Sequence, residues 1–378
     1  MLFWILILLL INGVVSFATS VMNTGDTTTL WAVFSSTYLF YLGVTQTGIL
    51  FAAIMRMSKS GWGRHFSRLG EILTLSFIPF AFIFFLIIYF GGVDHLFYWA
   101  SPHVQEEGHH LSPFLGKGLF FWRNIISMAL FYGMSWIYFR TCRSVENGTP
   151  VSDDQTRKMN VMAAVVMVFY VIANTNIAWD FGMTIIQHWE SSIFTPYYWV
   201  GNILAGAAFL FLASLYFIPK KAGEAAKEWR LQSMGNVLFG CTLLWTYMFW
   251  SQYFVIWYGN LPNITEPFFK GMKGNYASMH VAMLLFCFVI PFITLIIRRI
   301  KASIPALSTV AFIICVGMLI NRYLMIIPVF SDGSTPAVAT WTGLSLILAG
   351  LASVLLSVIL FLKLFPKVGV MATPVHED

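Results

Sequence analysis

Ten apolar segments, separated by polar stretches, recur along this chain of 378 residues. A helix rises about 1.5 Å per residue and the hydrocarbon core of a bilayer is about 30 Å thick, so about 20 apolar residues are enough to cross it. Segments of this kind occupy residues 2–20, 29–56, 69–91, 118–141, 159–181, 192–218, 232–258, 277–297, 304–328 and 338–363. We therefore predict an all-α polytopic membrane protein with ten transmembrane helices in a single integral membrane domain, 1–378.

The basic residues are divided unequally between the two sides of such a membrane. The loops after the even-numbered segments, together with the C-terminal tail, contain Arg56, Lys59, Arg64, Arg68, Arg140, Arg143, Arg157, Lys158, Lys220, Lys221, Lys227, Arg230, Arg298, Arg299, Lys301, Lys363 and Lys367. The opposite side has Lys117, Lys270 and Lys273, with Arg123 and Arg322 inside helix ends. By the positive-inside rule the first set faces the cytoplasm, as do both termini, unless residues 1–20 are a cleaved signal peptide. The net charge of +6 therefore needs no nucleic-acid partner.

The cysteines and histidines decide whether a metal centre is expected. Cys142, Cys241, Cys287 and Cys315 are scattered and form no C-x-x-C or C-x-x-C-H motif. Only His280 lies near the interior of a predicted helix, whereas a b-type haem would need facing histidines at membrane depth. The pattern predicts no haem, iron–sulfur cluster or metal bound by this chain, so a redox role would depend on a diffusible carrier.

An internal repeat is visible in the second and sixth segments. Both contain Gly-x4-Gly, as Gly43 with Gly48 and Gly201 with Gly206. Four segments separate the matches, so the repeats run parallel and predict two four-helix bundles with flanking helices. The bundles would occupy 29–181 and 192–328, and the flanking helices 1–20 and 338–363. Internal repeats with polar groups at membrane depth are also typical of secondary transporters, so the alternative class is a secondary transporter or ion-conducting membrane protein with internal repeats.

Polar residues inside apolar segments are costly in lipid and usually face the interior of a bundle. In the outer half of the first bundle they are Arg123, Asn124, Asn174, Asn176 and Asp180. A quinol site needs an acceptor for the hydroxyl protons and donors that fix the ring. Asp180 or the nearby His188 would be the catalytic base, and the other residues would bind quinol. The alternative is that Arg123 and Asp180 form a buried ion pair that holds two helices together.

Further polar residues suggest a second cluster and a proton path. The second bundle contains Tyr247, Gln252, His280, Asn321 and Arg322, expected to be structural or to relay protons. Glu71, within a helical turn of the inner boundary, and Gln46, in the middle of the second segment, are candidates for a proton path. Nearby Ser and Thr hydroxyls are expected to bond mostly to their own backbone.

The stretch from Leu231 to Glu266 carries the most specific motif. It reads W-x-Y-x-x-x-S-Q-Y-x-x-x-W-Y-x-N-L-P, at Trp245, Tyr247, Ser251, Gln252, Tyr253, Trp257, Tyr258, Asn260, Leu261 and Pro262. This motif resembles the seventh transmembrane helix of the second NrfD/PsrC-like subunit (ActF) of alternative complex III, a bacterial quinol:cytochrome c oxidoreductase. The segment from Trp179 to Gly206 resembles another motif of that family, with Ile185, Ile186 and Gln187 in place of the family's turn.

The resemblance implies an NrfD-like subunit of a respiratory electron-transfer complex in the bacterial inner membrane. Its partners would be the sister NrfD-like subunit, a periplasmic iron–sulfur protein and multihaem cytochrome c subunits, and its ligand menaquinol or another quinone. In that family the better-supported quinol site belongs to the sister subunit, where a helix histidine matches the position of Arg123 and Asn124 here. Menaquinol binding by this chain, and a role as scaffold and proton path, are therefore separate hypotheses.

Overall fold

The fold is given by a computed structural model, which is predominantly helical in the part of the chain that it describes. It describes residues 2–23, 27–101, 112, 114–145, 152–187, 189–217, 228–259, 261, 266, 269–334, 340–366 and 368. Within these residues no strand occurs, and eight helices are long and apolar enough to cross a membrane. The prediction of an all-α, multi-pass membrane protein is confirmed at this level.

The long helices coincide with the predicted apolar segments. The α-helices are α1 (Leu2–Asn23), α2 (Thr28–Met57), α3 (Arg64–Ser76), α4 (Ile78–Ile87), α5 (Val93–Leu96), α6 (Lys117–Val145), α7 (Asp153–Ala178), α8 (Phe194–Phe217), α9 (Glu228–Gly259), α10 (Ala277–Leu284), α11 (Ile290–Ile296), α12 (Arg298–Ala302), α13 (Ile304–Phe330) and α14 (Trp341–Leu364). Two of the eight membrane-type helices consist of consecutive shorter ones, Phe66–Leu96 with α3, α4 and α5, and Gly274–Ile296 with α10 and α11; the eight do not include α6 and α9. These two have 29 and 32 residues, which is long enough, but polar and charged residues make them less apolar. Ten crossings therefore stay a prediction.

Two helices, α2 and α8, form the centre of the molecule. Of their most apolar stretches, 94% and 72% of the residues are buried. A Cβ atom at Gly43 would overlap the side chain of Asn202, and one at Gly206 would overlap Thr47. The glycines that suggest a repeat thus allow α2 and α8 to approach closely, because neither carries a side chain at the contact. The repeat itself stays a prediction.

The other helices pack around this centre. On the side of α2, α3 packs against α2 and α6, and α7 packs against α2 and α6. On the side of α8, α9 and α13 pack against α8, with α10 against α13 and α11 against α9. The first helix, α1, packs mainly on α14, where Gly13 meets Ala349 and Asn12 donates to the hydroxyl of Ser345 at 3.1 Å.

A π-helical turn, Trp179–Met183, continues α7 and positions the candidate site. Such turns place an extra residue in the helix and are frequent at functional sites. Thr184 donates to the carbonyl of Asp180 at 2.8 Å. The turn directs Asp180 towards Arg123 in α6, while Gly182 lies against the ring of Phe194 in α8. Asp180 and Gly182, two residues apart in one turn, therefore contact the two groups of helices.

Candidate functional site

Asp180 is the centre of the first buried polar cluster. It accepts hydrogen bonds from Nε of Arg123, at 2.9 Å, and from the amide of Asn124. Arg123 also pairs with the second carboxylate oxygen and donates to the carbonyl of Phe114 at 2.7 Å. Its guanidinium carbon lies 3.6 Å from the centroid of the Phe114 ring. The sequence-predicted residues Arg123, Asn124 and Asp180 therefore come together, as an ion pair between a buried carboxylate and a guanidinium that is 11% exposed, with an additional amide.

This geometry favours a structural role for Asp180. Its side chain is 0% exposed, and both of its oxygens already accept hydrogen bonds. A catalytic base must reach the proton that it removes, whereas here the carboxylate is enclosed by Arg123 and Asn124. Removing one partner of such a buried pair typically costs about 3–5 kcal/mol, because the remaining charge is uncompensated.

The other predicted quinol-binding residues do not join this cluster. Asn176 donates to the hydroxyl of Ser127 at 3.3 Å, whereas Asn174 donates to Gln46 at 3.0 Å. Residues two apart on a helix do not share a face, which is why the two asparagines separate. His188 lies outside the described residues, as do residues 102–111 of the long loop before α6.

A second cluster connects four helices, and we name it the central amide chain: Gln46, Asn174, Asn202 and Arg322. Asn174 donates to Oε1 of Gln46 at 3.0 Å, and Asn202 donates to Oδ1 of Asn174 at 2.8 Å. Arg322 completes the chain by donating to Oδ1 of Asn202 at 2.7 Å. None of the four is more than 2% exposed. Hydrogen bonds strengthen one another in such low-dielectric surroundings, so α2, α7, α8 and α13 are joined by polar bonds as well as by packing.

Arg322 is a buried cation whose contacts within the described residues are neutral groups. Besides Asn202, its guanidinium donates to the carbonyl of Tyr198 at 2.7 Å and lies 4.1 Å from the centroid of the Tyr198 ring. It also contacts the sulfur of Met325 at 2.9 Å. Gly201 leaves room for it, since a Cβ atom there would lie 3.0 Å from a guanidinium nitrogen. Carbonyl, amide, ring and sulfur thus share the stabilisation of one charge.

Asn202 is not among the site residues expected from the sequence, although it joins the two halves of the central amide chain. Thr47 supports it by donating to its carbonyl at 3.0 Å, and the Thr47 hydroxyl lies 3.2 Å from that of Tyr170. The sequence did contain a signal for Asn202, because an amide inside an apolar segment is the same feature that made Asn174 a candidate. The cost of burying an amide without a partner applies equally to both residues.

The residues expected in the second cluster are dispersed. Gln252 accepts a hydrogen bond from Ser191 at 2.7 Å, and Arg322 belongs to the central amide chain. Tyr247 lies on the surface of α9, where it is 65% exposed. Asn321 and His280 do come together, because both line the same pocket.

We name this cleft the outer pocket. Its walls come from α8, α9, α10, α13, the π-helical turn after α7 and the segments beside them. They are Gly182, Ile186, Trp189, Phe194, Tyr197, Phe249, Gly271, Met272, His280, Met283, Asn321, Leu324, Met325, Pro328 and Val329. The pocket therefore combines aromatic and apolar walls with an amide and an imidazole.

Asn321 is a buried polar residue of the outer pocket whose hydrogen-bonding capacity is partly unused within the described residues. It is 2% exposed, and its amide nitrogen donates to the hydroxyl of Tyr197 and to the sulfur of Met283, the latter at 3.2 Å. Its Oδ1 atom is buried without a hydrogen-bond partner in the described part of the chain. His280, half-buried, lies with its ring centroid 5.9 Å from that of Phe249.

Glu71, expected on a proton path, lies in a pair with Arg68. The two side chains are 2.9 Å apart in α3 and nearly inaccessible, at 6% and 4% exposure. The hydroxyl of Thr74, one turn further, donates to a backbone carbonyl of α2 at 2.6 Å and accepts from a backbone amide at 2.9 Å. The expected bond to its own helix is also present, to the carbonyl of Gly70 at 3.2 Å, but it is longer than the two bonds to α2. The proton path through Glu71 and Gln46 stays a prediction.

Neither metal ligands nor known relatives identify the site. Within the described residues, no group of three or more His, Cys, Asp or Glu side chains could hold a metal ion. No family model matches the chain, and no match was found among curated proteins. A functional assignment therefore depends on the geometry of the polar clusters and the outer pocket, and on the sequence motif in α9.

Proposed function

We propose that this chain is a metal-free membrane subunit of a quinol-oxidising respiratory complex of the alternative complex III type. The observation that carries the proposal is that one π-helical turn separates the Asp180 cluster from the outer pocket. Both combine buried polar groups with aromatic side chains. A lipophilic ring with hydroxyl groups needs such surroundings, namely apolar walls with a few placed polar groups. The α9 motif supports the same function.

In the assembled complex, ten helices would cross the bacterial inner membrane with both termini in the cytoplasm. The outer pocket then faces the periplasmic side, where an iron–sulfur protein and multihaem cytochrome c subunits supply the metal centres. A sister NrfD-like subunit completes the membrane part. The buried ion pair of Arg123 with Asp180 and the central amide chain act as scaffold, because they fix the helices around the pocket.

Purification of the tagged chain from native membranes tests this function. We expect haem-containing and iron–sulfur subunits to copurify, and the preparation to reduce a cytochrome or artificial acceptor with menaquinol. Deleting the gene should remove this activity from membranes and a plasmid copy should restore it. A chain that purifies without metal-bearing partners from membranes that retain full quinol oxidation would contradict the proposal.

A secondary transporter is the second candidate, and the central amide chain is the observation that favours it. Buried polar groups that connect two groups of helices near the membrane centre are also found at transporter sites. One observation counts against a transporter. Each hydrogen bond of the central amide chain joins packed, buried side chains, which suits a rigid connection. Substrate-specific uptake by liposomes that contain only this chain would favour the transporter.

A further inference from the structure

We propose that the outer pocket binds the ring of a quinol, with one ring hydroxyl donating a hydrogen bond to Oδ1 of Asn321. The identity of the ligand as a quinol rests on the proposed function. The location of the site does not rest on the proposed function, because it follows from the geometry of the pocket. It also differs from the sequence prediction, which placed quinol in the first bundle with Asp180 or His188 as base.

The chemistry of Asn321 selects a ligand that donates a hydrogen bond. The amide nitrogen is occupied by Tyr197 and Met283, which leaves the carbonyl oxygen as the available group. That oxygen is buried and has no partner within the described residues. Buried polar atoms in proteins are nearly always paired, and an unpaired one in a pocket indicates a site for a ligand or water. A quinol hydroxyl is a suitable donor.

The walls of the pocket suit a flat ring. Trp189 and Phe194 pack edge to face with centroids 5.0 Å apart, and Phe249 lies 6.2 Å from Tyr197. Aromatic side chains of this kind favour offset or edge contacts with another ring. His280 lines the same cleft, and a neutral imidazole can accept a hydrogen bond from a second hydroxyl.

The pocket must widen to admit the ring. Its volume is about 40 Å³, room for a few water molecules at about 10–15 Å³ each. Three of its walls are Met272, Met283 and Met325. Methionine is unbranched and adapts its shape to a bound group more readily than other apolar residues. Rotation of these side chains would open the space that the ring needs.

The first bundle offers a less suitable place for the ring. The carboxylate of Asp180 is 0% exposed, and its two oxygens accept from Arg123 and Asn124. A quinol there would have to displace a charge-assisted hydrogen bond, which is stronger than a bond between neutral groups. At Asn321 the same hydroxyl would gain a partner without displacing one.

Binding of a fluorescent quinol analogue tests the site. The full chain in nanodiscs of phosphatidylethanolamine and phosphatidylglycerol would be titrated with 2-heptyl-4-hydroxyquinoline N-oxide, whose emission is quenched on binding. We expect saturable binding, weakened about tenfold in Asn321→Leu, as loss of one buried hydrogen bond implies. Met272→Trp adds bulk to a wall of the pocket without removing a buried amide, and should abolish binding even if Asn321→Leu fails to fold.

Gln252→Leu is the matched control, because Gln252 is also a buried amide with one atom that has no partner among the described residues, but it does not line the pocket. Its affinity should stay within about twofold of wild type, well under the change for one hydrogen bond. Equal losses of affinity in Gln252→Leu and Asn321→Leu would overturn the site. Binding that is unchanged in Asn321→Leu and Met272→Trp but lost in Arg123→Gln would also overturn it. In that last case the proposed function stands. If the wild-type chain does not bind the analogue, quinol binding by this chain is overturned as well.

Discussion

Arg322 in α13 donates a hydrogen bond of 2.7 Å to the side chain of Asn202 in α8. Asn202 in turn donates to Asn174, which donates to Gln46. One buried cation is therefore connected to the centre of α2 through two asparagines. Asn321, which lines the outer pocket, immediately precedes Arg322. The hydrogen bonds of Arg322 therefore also help to fix the position of Asn321.

Asn202→Leu should destabilise the protein more than a typical core substitution. The change removes one hydrogen bond of the buried Arg322 guanidinium and leaves an oxygen of Asn174 without its partner in a low-dielectric interior, at a cost of about 3–5 kcal/mol. The measurement is the free energy of unfolding in mixed detergent micelles titrated with sodium dodecyl sulfate. Asn176→Leu, which removes one bond of 3.3 Å from a half-buried residue, is the control and should cost about 1 kcal/mol. Equal effects would show that the central amide chain is not a stabilising unit.

Gly201→Ala should disturb Arg322 through a single methyl group. A Cβ atom there would lie 2.7 Å from Cε of Met318 and 3.0 Å from the guanidinium, and such overpacking costs about 1–3 kcal/mol. Gly133→Ala is the matched control in another long helix, with nothing within 4 Å of the added atom. It should stabilise α6 by about 0.5–1 kcal/mol, since alanine is the better helix former. Thermal unfolding followed by tryptophan fluorescence separates the two, and a stabilising Gly201→Ala would contradict the packing described.

Gly48 in α2 and Gly70 in α3 allow the backbones of the two helices to come into contact, because neither residue has a side chain. A Cβ atom at Gly48 would lie 2.3 Å from the carbonyl oxygen of Gly70, and one at Gly70 would lie 2.4 Å from that of Gly48. Since backbone cannot move aside as a flexible side chain can, Gly48→Ala should cost at least about 3 kcal/mol, the upper end for overpacking. Yield of folded protein by size-exclusion chromatography is the first measure. A normal yield and unchanged melting temperature would mean that the helices are further apart.

The pair of Arg123 with Asp180 should act in stability and not in turnover. Arg123→Met and Asp180→Leu should each destabilise the protein by about 3–5 kcal/mol, whereas the double variant should be less destabilised than either, because no buried charge remains. A double-mutant cycle of unfolding free energies measures the coupling. Quinol oxidation per assembled complex should be retained in the double variant. Loss of turnover with intact assembly would return Asp180 to the role of catalytic base.

The positions of the long helices could be predicted because apolar length alone determines where a chain can cross a bilayer. The pairing of Arg123 with Asp180 could also be anticipated, since two buried charges of opposite sign at similar depth seldom remain apart. Hydrophobic length, however, does not specify the rotation of a helix. Tyr247, expected in a polar cluster, is consequently exposed on α9.

The partners of the asparagines could not be predicted for a related reason. Asn174 and Asn176 are two residues apart and contact different helices, Gln46 in α2 and Ser127 in α6. Which face of α7 meets which neighbour depends on the packing of the whole bundle. The outer pocket brings together α8, α10 and α13, so no single segment indicates it.

Density for a quinol ring in the lipid-embedded complex, incubated with menaquinol before vitrification, is the most direct test. We predict a flat feature in the outer pocket, within hydrogen-bonding distance of Oδ1 of Asn321 and beside His280. An outer pocket filled only by water, with the ring bound beside Asp180 or solely in a neighbouring subunit, would contradict the assignment.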